Sequence, residues 1–270
     1  MFTRREVAIG LPLAAFVSTA TGSLAQDLST STSPLPDPKT FNAGDLVWPK
    51  RPGVRVPYLD TYRSDPTGEE RKWISERDDF VANVSTLAPF LTASDIERLR
   101  TLSFGEFYAR YFGNQNPDSP GVYASGGGIY VGHVGIIDID PSGKPWVIEA
   151  LSGRGVVEGS YQDWLKGRPN EVVWHGRVRE QSETKRAQIA IEGKKYLGAP
   201  YNFWNLDLAD TRGFYCSKLA WLSIRDALGF AIDGNSRSKR NFWFSPKQLL
   251  YLKPIVRLND PGPYANAGEL

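Results

Sequence analysis

The chain of 270 residues contains one cysteine, and no internal disulfide can therefore support its fold. Cys216 lies where a loop meets a run with helical spacing, which Gly229 is expected to end. A thiol in the first turn of a helix is close to unpaired backbone N–H groups and to the positive end of the helix dipole, and both favour the nucleophilic thiolate. The alternative is a small buried residue without reactivity.

The two histidines, His133 and His175, both precede Cys216. This order excludes any site that needs a histidine after the cysteine. A cysteine nucleophile needs a base, usually histidine, and a third group to orient that base. His133 is favoured as the base, because Gly132 and Gly135 on its apolar strand let a substrate or another backbone come close. His175 has no such setting, so we expect it to be structural.

Glu149 is predicted to orient His133, on an argument about strand register. If residues 140–144 form the loop of a hairpin, Glu149 lies opposite Gly135 on the face of His133, at roughly 7–8 Å between backbones. A four-residue loop would put the two side chains on opposite faces, and the sequence leaves both registers open. A solvent-facing glutamate is the alternative, but apolar residues on its own face favour burial, and buried carboxylates need partners.

Tyr201 is the predicted side-chain helper near the substrate or the oxyanion, with simple packing as an equal alternative. The backbone N–H of Cys216 is the expected oxyanion donor. No metal and no other cofactor is predicted, because two histidines and one cysteine without clustered spacing are a poor set of metal ligands.

Export is predicted from the first residues of the chain. Residues 1–25 have the charged start, apolar middle and small-residue cleavage site of a signal peptide, and a periplasmic location follows. Two adjacent arginines favour the twin-arginine route, with a Sec signal as the alternative. Residues 26–43, rich in Ser, Thr and Pro, are predicted to be a disordered leader. One domain is then expected over residues 44–260, followed by a tail over residues 261–270.

Composition limits the partners of the chain. A net charge of +2 without a basic run argues against nucleic acid. No stretch of the mature chain is long and apolar enough to span a bilayer. The 8 tryptophans favour either a large core or a groove for sugars, acyl chains or peptides.

Helical spacing predicts a block of helices over residues 66–112, with capping boxes from Thr92 to Asp95 and from Ser103 to Glu106. A lid or wall of a substrate groove and an inserted structural layer are both compatible with this block, and the structural layer is favoured.

The residues around the cysteine resemble those of a known family. The segment 198–201 followed by 214–217 resembles the region around the nucleophile in NlpC-type cell-wall peptidases, with Tyr215 in place of the usual Asp and Lys218 in place of the usual Gly. In those enzymes the histidine follows the cysteine. The order His133, Glu149, Cys216 resembles instead their circularly permuted relatives, the papain-like amidases of the YaeF/YiiX type. The resemblance covers roughly residues 44–48 and 129–252.

The resemblance implies an α+β fold in which a papain-like antiparallel sheet packs against helices, with the helical block as an insertion. It implies a Cys216–His133–Glu149 triad that hydrolyses amide or ester bonds of peptides, peptidoglycan fragments or lipids. The leading hypothesis is an exported cysteine hydrolase. The alternatives are a lipid acyltransferase or phospholipase of the permuted type, and a non-catalytic module that binds cell-wall material.

Overall fold

The structure, a computed structural model, describes residues 34–56, 58–60, 66–111, 128–130 and 132–265. The predicted signal peptide, residues 26–33 of the predicted leader and the last five residues of the predicted tail lie outside this description.

A six-stranded antiparallel sheet forms the centre of the molecule, with the strand order β6-β5-β4-β1-β7-β8, and β2 pairs with β3 in a separate small sheet. The strands are β1 (Leu46–Lys50), β2 (Tyr58–Asp60), β3 (Gly128–Tyr130), β4 (Gly135–Ile139), β5 (Pro145–Leu151), β6 (Gly155–Ser160), β7 (Val172–Val178) and β8 (Ile255–Arg257). An antiparallel sheet packed against helices is the predicted architecture, which is thus confirmed.

The helices are α1 (Pro66–Ala82), α2 (Val84–Leu87), α3 (Ala93–Thr101), α4 (Phe104–Tyr111), α5 (Tyr161–Lys166), α6 (Glu183–Lys194), α7 (Cys216–Leu228) and α8 (Pro246–Tyr251). Both predicted capping boxes are present: Thr92 and Asp95 exchange hydrogen bonds at the start of α3, and Ser103 and Glu106 do so at the start of α4. In the described ranges, we find no helix with the length and apolar character needed to cross a membrane.

The two faces of the sheet carry separate hydrophobic layers, because neighbouring residues of a strand point to opposite faces. On one face α6 and α7 pack against β4 and β5. The buried strand residues of this larger layer include Leu46, Trp48, Ile136, Ile148 and Trp174. On the other face a smaller layer contains Phe41, Val47, Ile137, Val147, Tyr161, Trp164 and Val173.

The hairpin of β4 and β5 has the register on which the prediction for Glu149 depends. Ile139 pairs with Pro145, so residues 140–144 form the loop. The same register, continued, sets Glu149 opposite Gly135. The five-residue loop is therefore confirmed, and the four-residue alternative is wrong.

The one apolar strand expected to contain Gly132, His133 and Gly135 is not continuous, because β3 ends at Tyr130 and β4 begins at Gly135. Gly132 has a φ of +89°, which takes the backbone out of the sheet. A Cβ at this position would lie 2.8 Å from the Tyr264 hydroxyl, so glycine fits here and larger residues do not. His133 therefore projects from the break rather than from a paired strand.

The ordered domain begins before the expected boundary at residue 44. Phe41 is buried, with its ring edge-on to Tyr161 at 4.9 Å between centroids. The Val173 N–H donates a hydrogen bond to the Pro34 carbonyl. Residues 34–43 thus belong to the domain, although their composition is that of a disordered leader, because one aromatic side chain anchors them to the sheet.

The domain also continues past its expected end at residue 260. Tyr264 is fully buried, and its carbonyl accepts a hydrogen bond from the Val56 N–H. Burial of Tyr264 and Ala265 makes the first part of the predicted tail a part of the core.

Candidate active site

Cys216 is the first residue of α7, and its half-buried side chain lines a cavity of about 590 Å³. Tyr215, at the N-cap, makes no side-chain hydrogen bond to the helix, so no side-chain cap occupies its first N–H groups. The preceding chain is fixed by backbone hydrogen bonds from Asn202 to Phe214 and from Phe214 to Pro200, both 2.9 Å long. These bonds fix the chain that leads into Cys216.

The imidazole of His133 lies between Cys216 and Glu149. Its Nε2 is 2.6 Å from Oε2 of Glu149, and Cys216 is near enough to act electrostatically on the same ring. Because the carboxylate occupies Nε2, Nδ1 is the ring nitrogen left to serve the thiol. The structure thus brings together the three predicted side chains from three distant segments of the chain.

Glu149 is held by two more donors, which the sequence analysis missed. Trp164 Nε1 and Arg168 Nη2 lie 2.8 and 2.9 Å from Oε2, the same oxygen that contacts His133. The Arg168 guanidinium also lies over the Trp164 ring, 4.2 Å from its centroid. The spacing of four residues between this tryptophan and arginine, at the end of a short helix, is the signal that could have placed both on one side.

The charges of this site support one another. Burial favours a neutral imidazole, but the adjacent Cys216 and Glu149 outweigh burial and raise the pKa of His133 to about 9. Burial likewise opposes ionisation of Glu149, but His133, Arg168 and Trp164 outweigh it and lower the pKa of this carboxyl to about 2. At neutral pH the site therefore favours a protonated imidazole on an ionised carboxylate, the arrangement that stabilises a neighbouring thiolate.

Tyr201 lies on the wall of the cavity together with Phe203. Its backbone forms a bridge with Phe214, two residues before Cys216. The structure therefore puts Tyr201 beside the nucleophile, and its assistance to the substrate or the oxyanion stays a prediction. Within the ranges given above, no group of three or more His, Cys, Asp or Glu side chains is arranged to hold a metal ion.

His175 belongs to a different cluster. It is fully buried, and its Nε2 lies 2.7 Å from Oδ2 of Asp45. Arg177 donates two hydrogen bonds of 2.7 Å to the same carboxylate. These contacts link β1 to β7, which is the kind of structural role predicted for this histidine.

A thiol at the start of a helix that packs on an antiparallel sheet, with histidine ahead of cysteine in the chain, is the arrangement of a circularly permuted papain-like cysteine hydrolase. Residues 112–248, just over half of the chain, match the permuted papain-like amidase enzymes, the YaeF/YiiX or C92 family, and the chain belongs to this family. The resemblance predicted from the sequence, the papain-like fold class and the assignment to the cysteine hydrolases are therefore confirmed.

Among solved structures, the chain is similar to the crystal structure of YiiX from Escherichia coli O157:H7, described as a metalloprotein. The two are 21% identical, and the match covers 46% of this chain and 80% of that one, with a TM-score of 0.36. No curated protein matches the chain.

Proposed function

We propose that this protein is an exported cysteine hydrolase that cleaves amide or ester bonds in cell-wall peptides or lipid-linked amides. The observation that carries the proposal is that Cys216, His133 and Glu149 line one cavity, with the imidazole of His133 hydrogen-bonded to Glu149. Membership of an amidase family supports the choice of an acyl compound as the substrate.

In the proposed reaction, the Cys216 thiolate attacks the carbonyl carbon of the substrate. The N–H groups at the start of α7, Cys216 among them, stabilise the oxyanion that forms. His133 gives its proton to the leaving amine or alcohol as the bond to the carbonyl carbon breaks, which leaves a thioester on the enzyme. A water molecule then gives a proton to His133 and attacks the thioester, which releases the acid and restores the Cys216 thiolate beside the protonated imidazole. Glu149 keeps the imidazole oriented throughout.

The export part of the proposal depends on residues 1–25, with their charged start and apolar middle. Expression of the full chain in a Gram-negative host, followed by mass spectrometry of the periplasmic fraction, should give a mature protein that begins near Gln26. A full-length protein in the cytoplasm would contradict this part alone.

The catalytic part is tested with Cys216→Ala. This variant should lose turnover of peptidoglycan fragments and of N-acyl amides, because no other cysteine in the chain can replace the nucleophile. Its melting temperature should stay close to that of the wild type, since the side chain is half-buried. In the wild type, incubation with substrate should add the mass of the acyl group at Cys216. Retained turnover in the variant would refute the hydrolase, and transfer of the acyl group to an alcohol or amine instead of water would identify an acyltransferase.

A further inference from the structure

Three side chains that can carry a positive charge line the cavity that contains the thiol: His133, Arg154 and Arg168. His133 and Arg168 both contact Oε2 of Glu149, at 2.6 and 2.9 Å, so these two cations already have a partner. Arg154 differs from them, because its exposed guanidinium forms no hydrogen bond or ion pair with any residue that the structure describes. The wall beside the nucleophile therefore carries a cation that is available to a ligand.

Most acidic side chains on this wall are paired with cations. Besides Glu149, Glu158 pairs with Lys194 at 3.1 Å, and Asp163 pairs with Lys166 at 2.7 Å. The remaining acid, Glu171, has its Oε2 buried away from solvent. Pairing lowers the repulsion that these acids would exert on a negatively charged ligand in the cavity.

The turn between β5 and β6 holds Arg154 in place. The Arg154 N–H donates a hydrogen bond of 3.0 Å to the Leu151 carbonyl, which closes the turn. The next residue, Gly155, lies so close to Ala199 that a Cβ would collide with the Ala199 carbonyl oxygen. The Val156 N–H donates a hydrogen bond of 2.8 Å to the same oxygen. The backbone at Arg154 is thus fixed against the segment that contains Ala199.

That segment leads directly to the nucleophile. The Pro200 carbonyl accepts a hydrogen bond of 2.9 Å from the Phe214 N–H, and Tyr201 forms a backbone bridge with Phe214. Cys216 follows Phe214 by two residues. A short path of hydrogen-bonded backbone therefore connects the turn with the thiol, and a ligand group held at the turn has a defined position relative to the nucleophile.

The same turn offers a second donor. Ser152 is exposed and lines the cavity of the thiol, and its hydroxyl has no hydrogen-bond partner among the described residues. A guanidinium can only donate hydrogen bonds, and a hydroxyl can donate one. The ligand group that suits two such donors is one that accepts hydrogen bonds and carries a negative charge, and an ionised carboxylate has both properties.

A single free guanidinium favours a carboxylate over a phosphate. The planar fork of arginine matches the two oxygens of one carboxylate through two parallel N–H···O bonds, and the two charges cancel. A phosphate monoester carries a larger negative charge at neutral pH, and part of it would stay unbalanced beside one cation.

We propose that Arg154, together with the Ser152 hydroxyl, binds a carboxylate of the substrate, so that the enzyme selects anionic amides or esters over neutral ones. This inference rests on the proposed function, since the bound carboxylate would hold the carbonyl of the same molecule near Cys216. Arg154 is then a specificity-determining residue, outside the triad and on a different element from each of its members.

Binding to Cys216→Ala tests the carboxylate site without turnover. Two matched pairs of ligands place the charge at either end: acetyl-trialanine against its C-terminal amide, and succinyl-dialanine amide against butyryl-dialanine amide. By isothermal titration calorimetry, the carboxylate member of at least one pair should bind roughly ten-fold more tightly than the neutral member. Because Arg154 is exposed, this preference should weaken as salt is added.

Variants at Arg154 assign the preference to this side chain. Added to Cys216→Ala, Arg154→Gln should abolish the preference, and Arg154→Lys, which keeps the charge but loses the fork, should retain part of it. Arg179→Gln is the matched control, because Arg179 is exposed and lies outside the cavity, and it should keep the full preference.

Equal affinities within both pairs, or equal loss of the preference in Arg154→Gln and Arg179→Gln, would overturn the carboxylate site. Tighter binding of a ligand in which aminomethylphosphonate replaces the last alanine of acetyl-trialanine, abolished by Arg154→Gln, would overturn it in favour of a phosphate site.

Kinetics with active Cys216 separate this inference from the proposed function. The ratio of kcat/KM for the carboxylate and neutral members of the responding pair should fall roughly ten-fold in Arg154→Gln. Turnover of both members at equal rates would refute the carboxylate site and leave the hydrolase standing. Binding that depends on Arg154, without any acyl-enzyme at Cys216, would refute the hydrolase and leave the carboxylate site standing.

Discussion

At the scale of single residues, the chemistry of the site is concentrated on one oxygen of Glu149. This oxygen accepts from an imidazole, an indole and a guanidinium, at distances of 2.6 to 2.9 Å. Three donors on one atom fix both the position and the negative charge of the carboxylate. That charge is one of the groups that raise the pKa of His133, and so the protonated imidazole persists well above neutral pH.

Replacement of this charge should change the pH dependence of activity. Glu149→Gln should reduce kcat/KM by roughly 10²-fold or more, the range of general acid–base contributions. Activity above neutral pH falls where His133 loses its proton, near pH 9 in the wild type. Without the carboxylate the pKa of His133 falls, so the basic limb of the profile should move to lower pH.

The pH profile of kcat/KM measures this shift. Glu158→Gln is the matched control, because Glu158 lines the same cavity and pairs with Lys194 rather than with His133. An unchanged basic limb in Glu149→Gln would show that the carboxylate does not govern the imidazole.

Lys218 is a second residue whose chemistry is decided by burial. It lies two positions after the nucleophile, fully buried, and its Nζ has no hydrogen-bond partner among the described residues. The Phe214 ring centroid lies 5.4 Å away. Burial lowers the pKa of Lys218 to about 7, against the opposing charges of Asp210 and Asp207.

Lys218→Met should therefore stabilise the protein, by about 1–3 kcal/mol, the cost of an unsatisfied buried polar group. Below pH 7 the lysine is charged in both states, and the penalty for burying the charge is complete. Between pH 7 and pH 10 the folded protein releases this proton while the unfolded chain keeps it, so the wild type gains stability and the advantage of the variant shrinks.

Urea unfolding at pH 6 and at pH 9 measures the difference. Lys195→Met, at a side chain that is 58% exposed and paired with Glu192, should change stability little at either pH. A destabilised Lys218→Met variant would mean that the lysine has a stabilising role in the core.

At the scale of elements, a buried ion pair joins two strands of the sheet. Asp45 lies just before β1, and His175 and Arg177 lie on β7, next to it in the sheet order. Burial raises the pKa of Asp45, but the hydrogen bonds from Arg177 and His175 outweigh burial and hold this pKa below its ordinary value of 3.8. The carboxylate therefore contributes to stability only while it is ionised.

Asp45→Asn should lower the free energy of unfolding by about 3–5 kcal/mol at pH 7, the usual result of breaking a buried pair. The wild type has this contribution above pH 4 and loses it as the pH falls through the lowered pKa of the folded state, so the difference should shrink at pH 3. Urea unfolding at both pH values measures it. Asp163→Asn, in a surface pair with Lys166 whose side chains are 70% and 66% exposed, should change the free energy of unfolding little, because solvent screens exposed pairs. Similar losses of unfolding free energy in the two variants would show that the buried Asp45 pair stabilises the protein no more than a surface pair does.

At the scale of the whole molecule, the sheet separates two hydrophobic layers, and the active site uses residues from both sides of the sheet. Cys216 belongs to α7, which packs in the larger layer. Glu149 lies on the opposite face of the sheet, the face of Val147 and Trp164 in the smaller layer. Beside the active site, α1 of the helical block lines a second cavity, which shares Ser152, Tyr201 and Phe203 with the cavity of the thiol.

Much of the fold was accessible from local patterns. Capping residues marked the starts of α3 and α4, and Gly229, with its left-handed φ of +78°, ended α7. Local patterns failed where a distant contact decided the outcome. At Gly132 the distant Tyr264 hydroxyl leaves no room for a Cβ, and in residues 34–43 the ring of Phe41 packs against Tyr161 of α5.

The sequence by itself determined the type of site. The chain has one cysteine, and both histidines precede it, so a cysteine nucleophile can be paired only with a base that comes earlier in the chain. It also limited the register of β4 and β5 to two choices, since side chains alternate along a strand. Tertiary structure alone decided which register holds, that Trp164 and Arg168 complete the surroundings of Glu149, and that α1 lines a cavity next to the one that contains the thiol. Contacts between distant segments depend on how whole elements pack, and the apolar spacing of one segment shows which face is buried but not which segment covers it.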